Sequence, residues 1–288
     1  VARVTAVRPG SGAAEAGVQV GDIVTALNDK SVIASVASRI RAGREEVTAA
    51  RLGWAMNAQA AGYRGSSRTV TVLRDGAPVV LNLGEPEPIA TSKAVSWQVL
   101  DNGVGYIRIE DSLSDEATVE AFDAALEELK GSRRWIVDLR NTPGGGNTGV
   151  AEPIMGRFIS GVKPYQRSGP RWRGQPVRYV ASRGPWRARG KVAVLVGRWT
   201  GSMGEGMAIG FDGLRRARVF GSDLAGLAGG VEGFDLPGSG IRVRFPTYDL
   251  SHINGISRHE WRPPYPVVAD NGDGPDLALE AALDWLRN

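Results

Sequence analysis

The chain has 288 residues, long enough for about two domains, and its 42% hydrophobic and 23% charged residues are an ordinary globular composition. Its net charge is +4, but the 35 basic residues, 30 Arg and 5 Lys, are scattered among Asp and Glu, so no basic arm for nucleic acid stands out. The absence of Cys excludes disulfides, thiolate metal sites and cysteine nucleophiles, and no apolar run approaches the roughly 18 residues of a membrane span. The chain opens in strand-like sequence without Met and without a signal peptide, as a processed or truncated product would. Only two His occur, His252 and His259, which limits every proton-transfer mechanism.

Val1–Val7 alternates like a half-buried strand, Arg8–Gly12 reads as a turn, and Ala13–Val18 as a short helix ended by Gly17. Gly21–Asn28 reads as a turn and a strand, and Val36–Ala61 as one helix with Val36, Ile40, Val47, Leu52 and Met56 on its apolar face. Thr69–Leu83 reads as a hairpin turning at Asp75-Gly76. The run PGSGAAEAGVQVGDIVTALNDKSV resembles a PDZ domain. That resemblance implies a peptide groove beside the 36–61 helix. The carboxylate-binding loop of the family would precede Val1, so recognition of C-termini is not implied. A groove that accepts a strand by β-augmentation and a fold that is only a scaffold both remain open.

Glu85-Pro86-Glu87-Pro88 reads as a stiff polar linker. It divides a PDZ-like domain over 1–84 from a linker over 85–94 and a larger domain over 95–288. Val95–Leu100 and Val104–Ile109 read as a hairpin around Asn102-Gly103, and Ser114 as the cap of a helix over Asp115–Lys130. Arg134–Arg140 reads as a buried strand entering the turn Asn141–Asn147, with a helix from Gly149. Val192–Val196 is a further buried strand, which breaks at Gly197 and leads through Ser202 into a helix from Glu205. Ala217–Gly221 is a strand, a Gly-rich loop runs to Gly233, and a strand pair runs to Tyr248. Asp249–Trp261 reads as a polar loop holding both His, and Leu277–Leu286 as the last helix. Repeated strand–turn–helix units imply an α/β core with site loops at strand C-terminal ends.

A Ser at such a strand-to-helix turn either caps the helix or is a nucleophile projected by the turn. In the second case the free N–H groups of the helix start stabilise an oxyanion. The ordered segments GYIRI, WIVDLRNTPGGG, VAVLVGRWTGSMGEGMAIGF, ARVFGSDLAGLAGG and ISRHEWRPPYPV resemble the S41 peptidases, the C-terminal processing and tricorn proteases. The resemblance covers residues 90–288. It implies an α/β, ClpP/crotonase-like β-β-α core beside the smaller PDZ-like β-rich domain. It also implies a serine endopeptidase with Ser202 as nucleophile and an oxyanion hole from the Met203 N–H and the Gly144-Gly145 turn. The alternative reading of Gly144–Gly146 is a simple flexible turn, less favoured beside Ser202 and beside Asp138 and Arg140, which orient it.

Two positions depart from the family. The Lys base of processing proteases falls at Leu227, and the His base of tricorn-type members falls at Arg108, which cannot accept a proton at pH 7. The tricorn-type Glu matches Glu260. The remaining candidates for a base are the two His. His252, in a polar turn, is favoured, with Glu260 orienting a partner or the substrate amine, because extended neighbours such as His259 and Glu260 face opposite ways. Ordinary surface roles for both His remain open, as does a protein that binds a peptide or apolar ligand without cleaving it. The resemblance implies a peptide or unfolded protein substrate, no cofactor, no metal and no nucleic acid. It leaves room for a homo-oligomer and implies a periplasmic or secreted location.

Overall fold

The computed structural model describes residues 2–40, 47–63, 65–85, 93–267 and 274–288. The chain forms two compact units, one of residues 1–90 with 270–274, the other of residues 91–269 with 275–288.

In the first unit, β1 (Ala2–Arg3), β2 (Ile23–Leu27), β4 (Arg68–Arg74) and β5 (Ala77–Gly84) form a sheet in that order, with β3 (Lys30–Ser31) beside β2. The helices are α1 (Gly12–Glu15), α2 (Val32–Ile40) and α3 (Ala49–Ala61). The single helix expected over 36–61 is therefore two, and residues 41–46 between them lie outside the described set. The hairpin turn is at Asp75 (φ 51°) and Gly76 (φ 80°), a doubly left-handed pair whose twist matches that of paired strands. Asp22 of the Gly-Asp motif is buried and grips Arg74 through two hydrogen bonds of 2.9 and 2.8 Å. The motif thus fastens β2 to the end of β4. Leu27, Val70, Val72 and Leu83 form the core of this unit.

The second unit begins with β6 (Val95–Leu100), β7 (Val104–Ile109), α4 (Ala117–Glu128), β8 (Arg134–Asp138) and α5 (Thr148–Gly156). It continues through β9 (Val162–Gly169), β10 (Val177–Ala181), β11 (Lys191–Val196), α6 (Met203–Gly213) and β12 (Arg218–Gly221). Then come β13 (Gly229–Asp235), β14 (Arg242–His252), β15 (Tyr265–Pro266) and α7 (Leu277–Arg287). A six-stranded sheet runs β15-β12-β11-β8-β7-β6, parallel except for the β6–β7 hairpin. A second, antiparallel sheet runs β10-β9-β14-β13. Ser114 does not cap α4: its hydroxyl pairs with Ser112 at 2.7 Å, and the Asp115 carboxylate accepts the Ala117 N–H instead.

Side chains alternate across the parallel sheet. Val192, Val194 and Val196 pack with Phe122, Ile154, Met207 and Phe211 under α4, α5 and α6, while Ala193 and Leu195 face Ala282 and Leu286 of α7. Burial on both faces is why β8 and β11 read as continuous apolar runs. No helix among the described residues is long and apolar enough to cross a membrane. Leu195 is fully buried between the sheet and α7, so Leu195→Ala should lower unfolding free energy by about 3 kcal/mol. Urea titration checks this, and a loss near zero would show that α7 is not part of the cooperative core.

Candidate active site

The C-terminal ends of β8 and β11 are neighbours, because Ala193 pairs with Ile136 and Leu195 with Asp138. Each strand runs into a Gly-containing turn, and the two turns are stitched together. The Thr200 hydroxyl donates to Leu139 O at 2.8 Å, Gly201 N–H donates to Thr142 O at 2.9 Å, and the Thr142 hydroxyl donates to Ile109 O at 3.2 Å. Gly201 has to be glycine, since a Cβ there would lie 2.6 Å from Pro143 O. The result sets Ser202 directly before α6 and beside Gly144, where a Cβ would come 3.6 Å from Ser202 Cβ.

Ser202 has φ 51° and ψ −113°, backbone that an L-residue adopts only under constraint. Such strain at a strand-to-helix turn projects a side chain above the sheet. Met203 is the first helical residue, so its N–H has no acceptor within α6. Gly144, Gly145 and Gly146 all have positive φ (134°, 72° and 111°). Of the expected group, Ser202, Met203 and Gly144 therefore converge. Gly145 is the next link of the same turn, and a Cβ on it would contact Ser112.

Beneath Ser202 lies a group that sequence reasoning missed. The fully buried Glu205 carboxylate accepts the Ser202 N–H at 2.8 Å through Oε2, and the Gly226 and Leu227 N–H groups at 2.8 and 3.1 Å through Oε1. Arg258, also buried, stands 3.8 Å from Glu205 Oε2 and donates to Leu227 O at 3.0 Å. Burial pushes the Glu205 carboxyl above its ordinary pKa, although the Arg258 charge and the three N–H donors pull it back. Burial likewise lowers the Arg258 guanidinium against the opposing charge of Glu205. The Ser-x-x-Glu spacing of Ser202 and Glu205 is a capping-box signal that could have found the first half of this pair. Nothing local marks Arg258.

The position of His252 corrects the sequence expectation. Residues 249–252 belong to β14 rather than to a loop, and His252 is its buried last residue. Its Nε2 lies 3.3 Å from Asp212 Oδ2, and its Nδ1 accepts the Asn254 N–H at 3.1 Å. Asp212 is at the C-terminal end of α6, ten residues from Ser202, or about 15 Å along the helix. His252 is thus committed at the wrong end of α6 to reach the Ser202 hydroxyl. Glu260 is exposed in a turn in which Glu260 N–H and Trp261 N–H both donate to Ser257 O. In a turn, the alternation that would face His259 away from Glu260 does not operate. That turn lies along α6, with Arg258 at Glu205 and the Trp261 indole on Asp212 at 3.2 Å. His259 Nδ1 is buried and makes no hydrogen bond. Leu227 supplies its backbone to Glu205 and Arg258 while its side chain is exposed, and Arg108 pairs with Glu110 at 3.3 Å.

Asp138 and Arg140 brace the turn from below. Arg140 donates to both oxygens of the buried Asp138 and, at 2.8 Å, to Asp276, the cap of α7. The Tyr106 hydroxyl donates to Asp138 at 2.6 Å, and burial followed by the Asp138 charge raises its pKa. Burial alone would raise Asp276, but the Arg140 hydrogen bond and charge outweigh it and hold the carboxyl below its ordinary 3.8.

The sequence profile of peptidase family S41 matches residues 103–265, which contain the whole Gly144–Ser202–Glu205–Arg258 arrangement, and a PDZ-domain profile matches residues 3–49. The chain belongs to peptidase family S41. It is a serine-type peptidase with a PDZ domain at its N-terminus. Among solved structures, the photosystem II D1 C-terminal processing protease is similar with a TM-score of 0.63 and 18% identity, over 99% of this chain and 72% of that one. A peptidase structure from Parabacteroides merdae is similar at 0.60 and 18%, over 88% of each chain. Mature CPAF is similar at 0.63 and 13%, over 94% of this chain and 76% of that one. At these identities the likeness is one of fold. No curated protein matches the chain.

Two outcomes follow for an S41 chain built this way. Glu205→Gln places an amide N–H₂ where only acceptors fit and leaves Arg258 buried without a counter-charge, so it should cost about 3 kcal/mol of stability in chemical denaturation. An unchanged midpoint would contradict the ion-pair account. Because the Asp276 pKa is depressed on folding, its contribution is present above the unfolded value of 3.8 and is lost as pH falls through the folded value. Asp276→Asn should therefore cost about 1 kcal/mol at pH 7 and progressively less as pH falls below 3.8, as read from thermal melts across that range.

Proposed function

We propose that this S41 peptidase is an endopeptidase that cleaves peptides or unfolded proteins through a Ser202 acyl-enzyme. The observation that carries the reading is the strained Ser202 backbone at the head of α6, beside Gly144. The hydroxyl attacks the scissile carbonyl, and the Met203 N–H and the Gly144-Gly145 turn stabilise the developing oxyanion. The base that takes the hydroxyl proton returns it to the amine as the C–N bond breaks, and then deprotonates the water that releases the acyl group and restores the Ser202 hydroxyl.

The base is not Lys, since Leu227 stands at that position, and it is not His252, which lies beside Asp212 and Gly213 at the far end of α6. The Ser257–Trp261 turn, whose Arg258 reaches Glu205 beneath Ser202, is the source of the base. His259 and Glu260 are its two side chains of the kind that serve as a general base. Periplasmic or secreted placement belongs to the same proposal and rests on the family resemblance alone.

The test uses a quenched fluorescent unfolded substrate. Ser202→Ala should lose about 10³-fold or more in kcat, with the melting temperature retained. His259→Ala or Glu260→Gln should lose about 10²-fold or more, whereas His252→Ala should keep its kcat. Full activity in Ser202→Ala sinks the assignment of the nucleophile, and full activity in both turn variants sinks that of the base. A wild-type chain that retains such substrates without cleaving them would replace the reading with a binding protein on this fold.

A further inference from the structure

A cavity of about 330 Å³ opens beyond the C-terminal end of α6, at the other end of that helix from Ser202. Five cationic side chains line it, Lys163, Arg187, Arg189, Arg215 and Arg216, and no Asp or Glu does. They come from three separate segments of the chain: β9, the approach to β11, and the exit from α6.

Several arginines elsewhere in this unit have a carboxylate partner. Arg140 has Asp138 and Asp276, Arg157 and Arg183 share Asp123, Arg178 has Glu152, and Arg258 has Glu205. Among the described residues none of the five cavity cations is in an ion pair. Arg216 is the most constrained of them. Its guanidinium is half-buried and donates to Phe158 O at 2.5 Å and Ala188 O at 2.9 Å, with no carboxylate in reach. Burial lowers its pKa, and no neighbouring charge opposes that shift. Cations at a helix C-terminus do complement its carbonyl end, which accounts for Arg215 and Arg216. That effect does not bring Lys163, Arg187 and Arg189 to the same space.

We propose that this cavity is a binding site for a small phosphate-bearing anion such as a phosphoanhydride. Converging like charges cost free energy that a bound anion offsets. Guanidinium forks match oxyanions with two parallel hydrogen bonds, and Arg216 is already held in one orientation by its two carbonyls. Five cations suit a ligand with several negative charges. The volume lies at the small end of ligand sites and has room for a phosphate or diphosphate group. The site is separate from the Ser202 machinery, so its occupancy does not depend on the peptidase reading.

The test is isothermal titration of the full chain with pyrophosphate at fixed ionic strength. The expected result is one saturable site, weakened at least 10-fold in the Arg189→Glu/Arg215→Glu double variant, both of whose positions are exposed. Lys163→Glu, a single exposed change, should weaken it several-fold and serves if the double variant fails to fold. Lys30→Glu, in the first unit, should leave the affinity unchanged. The proposal is overturned by heat that does not saturate beyond matched sodium chloride, by variants that bind as wild type, or by citrate binding more tightly than pyrophosphate.

Discussion

One buried carboxylate holds the site of this peptidase in place. Glu205 accepts N–H groups from Ser202, Gly226 and Leu227 and faces Arg258 in the dark beneath them. A lone buried charge is expensive, and three fixed donors plus a partner cation are what make it tolerable. An apolar pair of similar size would fill the space but leave those three N–H groups without acceptors. The pair therefore does more than stabilise. It fixes the backbone of Ser202, whose φ/ψ costs about 1–3 kcal/mol by itself and persists only where its surroundings over-determine it. It also joins three segments remote in sequence: the start of α6, the loop before β13 and the turn after β14.

The parallel sheet supplies the platform for that constraint. Because β8 and β11 are paired in register, their C-terminal turns emerge side by side, and hydrogen bonds from Thr200 and Gly201 lock one to the other. Below the turns, Asp138, Arg140, Tyr106 and Asp276 form a connected polar network reaching the cap of α7. The Gly144 side of the site and the Ser202 side are thus each backed by a buried charge pair. The two pairs differ in their electrostatic poise. In the first the Arg140 hydrogen bond and charge outweigh burial at Asp276, and in the second burial dominates both Glu205 and Arg258.

Helix α6 organises the rest of the unit's polar chemistry by its two ends. Ser202 and free N–H groups stand at the first, while Asp212, His252 and Trp261 cluster at the last turn, and Arg215 and Arg216 follow it. This polarity explains why a histidine that is near Ser202 in no structural sense looked available in sequence. The peptide carrying His252 and the peptide carrying Arg258 both return to α6 from β14, but at opposite ends.

The residues by themselves determined the strands, turns and helix starts around Ser202. Continuous β-branched runs mark strands buried on both faces, Asp75-Gly76 and Asn102-Gly103 mark reversals, and Gly-rich turns after β8 and β11 mark where backbone must come close. Those are local rules, and they were legible in single segments, as was the family resemblance the segments carry in order. The extension of β14 through His252 was not, because it depends on pairing with β9, whereas the restart of the 36–61 helix at the Thr48 cap and the use of Asp115 instead of Ser114 are choices among neighbouring local caps. Only the tertiary structure decided which distant side chains meet. Glu205 finds Arg258, Asp212 takes His252, and five cations from separate segments share one cavity. No spacing rule encodes such meetings, since they follow from how the sheet, α6 and the returning strand close on one another in space.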